Sequence, residues 1–321
     1  MLNIDTIMLF VGFSAVDFTW LLLSLIFLLA FSLHVFLFHS SAKFTQSRSF
    51  QLFQDLIRYG KTKNSQRPAY VRVFDVPKRW FSHFYMVSVV WNGLLITLSL
   101  RTSLLGSDLP LWLSNTLGFL TDSSAAAWKG VPLSTALAQM LLWVHSARRL
   151  QECAQVSVFS GSVIHAAQYA FGLGYYVLLG LTVLCVGGPH LQEGTPASLT
   201  QLQWCHAAGI LLFLWGSLHQ HRCLRLLAHL RTGASGEVQT LEHKVPCGDW
   251  FELVSCPHYF AELVIYVSLA IVTGGRVLTW WLVVLYVLFN QALAAQLCHE
   301  FYRRKFEHYP KQRKAFIPFL F

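Results

Sequence analysis

Charge is what this sequence has least of. Only 12% of its 321 residues are Asp, Glu, Lys or Arg, against about 25% in an ordinary soluble domain. With 55% of positions apolar, a disordered chain and most soluble enzymes are excluded. The seven cysteines (153, 185, 205, 223, 247, 256 and 298) form no C-x-x-C pair. Most fall in hydrophobic stretches or on the side of the membrane read below as cytosolic, so neither a disulfide framework nor a structural zinc site is expected. Fourteen histidines are present, but H-x-x-H-H groups and H-E-x-x-H are missing, so no metal is expected. There is no P-loop, no G-x-S-x-G, and no G-x-G-x-x-G after a strand. A nucleotide, if bound, has to be gripped by arginines, tyrosines and amides at helix ends. No basic domain stands clear of the apolar runs, so nucleic acid is not an expected partner.

What is abundant is apolar sequence in long runs. Windows free of Lys, Arg, Asp and Glu cover 18–42, 80–100, 130–147, 153–192, 194–221, 263–275 and 277–299. A membrane helix needs about 20 such residues. The fourth window is too long for one span, and Gly187-Gly188-Pro189 predicts a helix end near Val186. The sixth is too short, so its helix should begin near Ser255-Cys256-Pro257, where proline suits a first turn. The expectation is an all-α, polytopic membrane protein of about seven transmembrane helices. It forms one integral membrane domain over 1–321, with an anchor and cytosolic loop in 1–66 and the core in 67–321.

Every Lys and Arg except Arg101, Lys129 and Arg276 falls on one side of these spans, which predicts a cytosolic C-terminus and an external N-terminus. Most of the net charge of +9 is then a topology signal. The amino-terminal end lacks a basic region and a small-residue cleavage site, and is read as a retained anchor. The longest polar segment, 43–79, predicts a cytosolic amphipathic element followed by Phe74-Asp75-Val76-Pro77.

Ionisable residues inside a membrane are functional candidates by default. Glu262 is the clearest, with His258 one helical turn before it on the same face. Gln296, His299 and Tyr302 share a face at the cytosolic mouth of the last span. Asn290 and Gln291 lie deeper and read as amides bonding neighbouring helices. His219 and His221 close the fifth span and lead into Arg222, Arg225 and Arg231.

These residues carry a resemblance. The run from Gly248-Asp249-Trp250-Phe251-Glu252 through Ser255-Cys256-Pro257-His258-Tyr259 to Glu262 resembles the signature of the steroid 5-alpha-reductase family. The ending Tyr309-Pro310-Lys311 through Ile317-Pro318-Phe319-Leu320-Phe321 is similar to that family's C-terminus. The likeness runs from about residue 67 to the end and is weak before it. Phe74-Asp75-Val76-Pro77-Lys78-Arg79, Trp91-Asn92-Gly93, His145-Ser146-Ala147-Arg148-Arg149-Leu150 and Leu278-Thr279-Trp280-Trp281 resemble one branch, whose substrate is a long polyprenoid lipid.

The resemblance implies an endoplasmic-reticulum membrane enzyme that uses NADPH to reduce the alpha-isoprene double bond of that lipid, on the route to dolichol and N-glycosylation. It also implies site residues. Glu262 matches the cofactor-binding carboxylate, and His258 stands where the family has Asn. Tyr302 matches a conserved tyrosine, with His299 just before it. Arg149 and Arg231 match arginines near the cofactor phosphates. Ser217 and His221 occupy the Asn and Asp positions of the fifth-span motif. Asp75 matches the acid that polarises the substrate in steroid-reducing members, and Ser146 replaces its tyrosine partner. Asp75, His299 and Tyr302 are therefore the expected catalytic groups. Arg149, Ser217, His221, Arg231, His258, Glu262 and Tyr302 are the expected cofactor ligands.

Physical chemistry narrows the substrate. Hydride addition to an isolated alkene leaves an unstabilised carbanion, whereas a conjugated aldehyde spreads the charge onto oxygen, where a donor can meet it. Polyprenal is favoured over polyprenol. The alternatives are steroid reduction, an S-adenosylmethionine-dependent membrane methyltransferase, and a non-enzymatic lipid transporter.

Overall fold

The computed structural model describes residues 13–37, 47–63, 67–123, 131–191, 199–233 and 235–321. Lys43, Lys129 and the amino-terminal end, which entered the topology reading, lie outside them. The chain is mostly helical: α1 (Ala15–Leu37), α2 (Arg48–Ile57), the single turn α3 (Ala69–Arg72), α4 (Phe81–Leu105), α5 (Leu111–Thr121), α6 (Leu133–Gln155), α7 (Ala166–Leu191), α8 (Trp204–His229), α9 (Pro257–Val272) and α10 (Leu278–Lys305). One small antiparallel sheet departs from the all-helical expectation. Its strands β1 (Asp75–Pro77) and β2 (Val163–His165) pair Asp75 with His165.

A helix covers each of the seven charge-free windows. Four are long and apolar enough to cross a membrane: Ala15–Leu37, Lys78–Leu105, Ala166–Gly187 and Leu278–Lys305. The other three, α6, α8 and α9, fall short for a physical reason. The last turns of α6 bear Arg148, Arg149 and Glu152, α8 carries His206, His219, Gln220 and His221 before Arg222 and Arg225, and α9 has only 16 residues. As expected, Pro257 opens α9 in its first turn.

The expected helix end near Val186 is not observed: α7 continues to Leu191. Packing explains the difference. A Cβ at Gly187 would stand 2.7 Å from Thr135 Oγ1, so α7 lies directly against α6, and tertiary contact overrides the local breaking tendency of Gly and Pro.

Close backbone approach also joins α8 to α9. A Cβ on Gly209 would overlap the Val272 side chain and lie 2.9 Å from the Ser268 carbonyl. A small residue here lets the two helices meet, which sets Gln220 of α8 beside Glu262 of α9. Buried polar pairs clamp α1 to the bundle. Trp20 donates to Thr182 Oγ1 at 2.9 Å, Thr279 to Asp17 at 2.5 Å, and Ser24 to the Leu282 carbonyl at 3.1 Å.

Between α1 and β1 the polar segment forms a strap. Ser47 caps α2 by accepting from the Phe50 amide. Beyond α2, the Tyr59 and Tyr259 hydroxyls bond at 2.9 Å, and Lys61 Nζ donates to the Tyr302 hydroxyl at 2.8 Å. Asp55 anchors the strap. It pairs with Lys63 and Arg67, each at 2.7 Å, and Arg67 reaches on to both oxygens of Asp75 at 3.0 and 2.7 Å. Burial pushes the Asp55 carboxyl up, but Lys63 and Arg67 more than offset it and leave it below its usual value. A depressed carboxylate contributes stability above its unfolded value, near 4, and loses it as pH falls through the folded value. Protection of the 47–63 amides against hydrogen exchange, relative to their intrinsic rates, is therefore expected to be high at neutral pH and to fall below about pH 4. Asp55→Ala is expected to show the lower protection already at pH 7.

Candidate active site

The helices enclose a cavity of about 940 Å³, at the upper end of the range for ligand pockets. Its two ends differ chemically. At one end the wall is Ile26, Leu29 and Leu33 of α1 with Phe171 of α7. These are also exposed on the outside of the bundle, Leu29 to 58% and Ile26 to 48%. The apolar part of the wall is thus built from residues of α1 that also remain accessible, beside α7. At the other end the wall carries Lys61, Lys78, Arg149, Arg231 and Lys244 against the carboxylates Glu242 and Glu262.

Glu262 is 8% exposed. A lone buried carboxylate is costly, and this one is satisfied through α8. Gln220 Nε2 donates to Glu262 Oε2 and, at 3.3 Å, to the His258 carbonyl. Its Oε1 accepts from Arg148 Nη2 at 2.5 Å. His145 Nε2 lies 3.4 Å from the other Glu262 oxygen. Arg149 stacks on Tyr85, with Nε donating to its hydroxyl at 3.3 Å, and pairs with Glu152 at 2.5 Å. Glu152 is the hub of this corner, accepting also from Arg148 at 2.7 Å and from His221 Nδ1 at 2.8 Å.

The remaining cations are not neutralised. Among the described residues no carboxylate lies within ion-pair distance of Lys61, Lys78 or Arg231. Arg231 donates to the Val158 carbonyl at 2.8 Å, and Lys61 Nζ lies 4.1 Å over the Tyr302 ring. Their field reaches His243 on the same wall. Burial first, then Arg231, Lys61, Lys305 and Lys78, hold its imidazole down to about 4, so it is neutral at pH 7. A cavity end this positive suits polyanionic groups.

Of the residues singled out in the sequence, Arg149, Arg231, His258, Glu262 and Tyr302 meet on this wall. The other four lie away from it. Asp75 is held by Arg67 in the strap anchor. Ser217 is buried on α8, its hydroxyl without a hydrogen-bond partner. His221 serves Glu152. His299 bonds Ser255 Oγ at 2.6 Å, and Ser255 in turn bonds the Tyr309 hydroxyl at 2.6 Å. Tyr309 stacks flat on Tyr302, with ring centres 5.5 Å apart, so His299 touches the cavity only through this tail. Asn290 and Gln291, read as helix-bonding amides, line the cavity.

Sequence reasoning missed Gln220, His145, Glu152, Tyr59 and Lys61. Lys61 and Glu152 sat among charges that topology already explained.

Apolar helices around a cavity with a cationic end and an apolar wall suit a membrane enzyme that acts on a lipid, and the comparisons with known proteins say which class it is. Residues 161–321 match the family described as 3-oxo-5-alpha-steroid 4-dehydrogenase, and the chain belongs to that family of reductases. Among its relatives, the polyprenal reductase of Danio rerio is 56% identical over 308 residues, covering 96% of this chain and 98% of that protein. The Xenopus tropicalis polyprenal reductase is 55% identical over 304 residues, 94% and 98% of the two chains. The Homo sapiens polyprenal reductase is 52% identical over 277 residues, 84% and 86%.

The position of His299 has a consequence for stability. His299→Ala removes a partly buried hydrogen bond and its contact with Tyr309, which is expected to cost about 1 kcal/mol. The midpoint of thermal unfolding in detergent should fall by a few degrees.

Proposed function

We propose that this protein is a polyprenal reductase of the endoplasmic-reticulum membrane. It reduces the alpha-isoprene double bond of a long polyprenal to give dolichal, with NADPH as reductant, in the synthesis of dolichol for N-glycosylation. The observation that carries this reading is the two-ended cavity. A polyprenoid tail of tens of carbons cannot be enclosed in about 940 Å³, and the mouth between α1 and α7 lets it remain in lipid while its head enters. A compact steroid has no need of such an exit.

The residues present fit NADPH. Its phosphates carry several negative charges, and Lys61, Lys78, Arg149 and Arg231 line one end of the cavity. These four are assigned to the phosphates. Glu262, His258 and Tyr302 are assigned to the nicotinamide end, Glu262 accepting from the amide. When bound, the reduced nicotinamide supplies a hydride. The chain's part is to orient and to dry the site. Gln220 fixes the Glu262 carboxylate with His145 beside it, Lys61 fixes the Tyr302 hydroxyl, and the strap over the cavity shields it from bulk water, so that electrostatic contacts act in a low dielectric.

In the same reading the seven helices over the charge-free windows span the membrane, with the C-terminus in the cytosol, where the cofactor enters. Steroid reduction is disfavoured by two side chains. Ser146 stands in place of a tyrosine and is spent on Ser88 Oγ at 2.7 Å, and Asp75 is bound by Arg67.

The decisive experiment supplies purified protein and NADPH with polyprenal, polyprenol or testosterone separately and identifies products by mass. Dolichal from polyprenal is expected; turnover of testosterone alone would reject the reading. Glu262→Gln keeps the shape and removes the charge. It is expected to weaken NADPH binding by about tenfold or more, the worth of one charge-assisted hydrogen bond, with the melting temperature nearly unchanged. Unaltered cofactor affinity would take Glu262 out of the site.

A further inference from the structure

The reaction proposed above needs a donor at the aldehyde oxygen. The enal takes a hydride at its beta carbon, where a C–H bond forms as the C–H bond of the reduced nicotinamide breaks. The displaced π pair moves through the alpha carbon onto the carbonyl oxygen. The enolate then regains its carbonyl as the alpha carbon takes one proton from water. Charge on oxygen peaks between these events, and a preorganised donor there lowers the barrier.

Neither residue at the expected polarising positions can serve. Asp75 and Ser146 do not line the cavity, and the Ser146 hydroxyl is engaged by Ser88 and the Leu142 carbonyl. The cavity offers phenols instead: with Tyr59 and Tyr259 bonded to each other and Tyr302 held by Lys61 at the cationic end, the remaining ones are Tyr85, Tyr175, Tyr176, Tyr266 and Tyr286.

We propose that Tyr266, backed by Tyr175, is the hydrogen-bond donor to the substrate aldehyde oxygen; this rests on the polyprenal-reductase reading. Three observations single it out. First, the Tyr175 hydroxyl donates to Tyr266 Oη at 2.6 Å. This occupies Tyr266 as an acceptor and polarises its own O–H, for which no protein acceptor is found among the described residues. Second, Tyr266 lines the cavity and is only 1% exposed, so bulk solvent does not compete for its hydroxyl proton. Third, the pair lies where the two ends of the cavity meet. Tyr175 packs on Tyr286, which with Phe171 and Phe27 forms the aromatic passage to the lipid mouth. Tyr266 lies one turn beyond Glu262, edge-on to His145. A head group whose tail stays in lipid reaches Tyr266 just as it reaches the Glu262 end. Tyr85 stands beside Arg149, at the end assigned to the cofactor phosphates, with Tyr176 packed on its ring, and among the described residues Tyr286 shows no hydrogen bond that would polarise its hydroxyl. Tyr175 is thus a positioning residue acting through Tyr266.

The test uses the full-length protein with NADPH and polyprenal. Tyr266→Phe is expected to lower kcat about 100-fold, as for loss of one oxyanion donor, with the NADPH dissociation constant, read by fluorescence titration, within about twofold. Tyr175→Phe should lower kcat by less than about tenfold, and the double variant should be no worse than Tyr266→Phe, because Tyr175 works through it. Wild-type kcat in Tyr266→Phe, or equal losses in kcat and NADPH affinity, would overturn the assignment while leaving the reductase reading in place. If Tyr266→Phe does not fold, Tyr175→Phe decides, and an unchanged kcat there overturns it. A wild-type protein that does not reduce polyprenal removes both the assignment and the reading beneath it.

Discussion

A carboxylate buried between helices has to be met by donors or it destabilises the fold by several kcal/mol. In this protein much of the interior is arranged around that requirement. Glu262 of α9 is met by Gln220 of α8, which is held in turn by Arg148 of α6, and His145 of α6 stands at the second oxygen. Three helices are therefore fixed relative to one another by one side chain. The small residue at Gly209 is part of the same constraint, because only a close α8–α9 crossing brings the amide within reach. What makes Glu262 expensive to bury is also what makes it useful, since a fixed acceptor in a dry cavity needs no reorganisation to bind a donor.

The strap extends the cavity beyond the helices. Its anchor is ionic, Asp55 with Lys63 and Arg67, but its inner surface is aromatic and cationic, with Tyr59 on Tyr259 and Lys61 on Tyr302. Asp75 belongs to this anchor. The strap therefore couples the ion pairs of its anchor to the floor of the cavity through about a dozen residues of chain. It also supplies a cation that the family match over 161–321 does not include.

The helical architecture was legible because it rests on solvation. Charge-free runs of the right length have few other solutions, and a helix lies over each of them. Pro257 opened its helix as expected because N1 tolerates a missing amide hydrogen wherever it occurs. Gly187-Gly188-Pro189 was misleading because its outcome depends on Thr135, a residue 52 positions away that packs against Gly187. The site divides the same way. Glu262, Tyr302, Arg149 and Arg231 were legible through cost or through resemblance. Gln220 was not, since a glutamine on a helix has no distinctive signal until the facing helix is known. Lys61 and Glu152 were hidden by sufficiency: membrane topology already accounted for one, and neighbouring arginines for the other.

The two ends of the cavity place opposite demands on a ligand, and this limits which chemistry the family fold can support here. A substrate that must leave most of its length in lipid cannot be oriented by enclosure, as a rigid polycycle can. Its reacting carbons have to be registered by the few groups near the mouth. In this chain those groups are phenols rather than a carboxylic acid and its tyrosine partner, the latter replaced by a serine that bonds its neighbours. A phenol stays neutral in an apolar wall, so it can stand beside a hydrocarbon tail at little desolvation cost. A carboxyl group placed there would have to be protonated or paired. Asp75, held in the strap anchor, and the tyrosines of the cavity wall fit a substrate of that geometry.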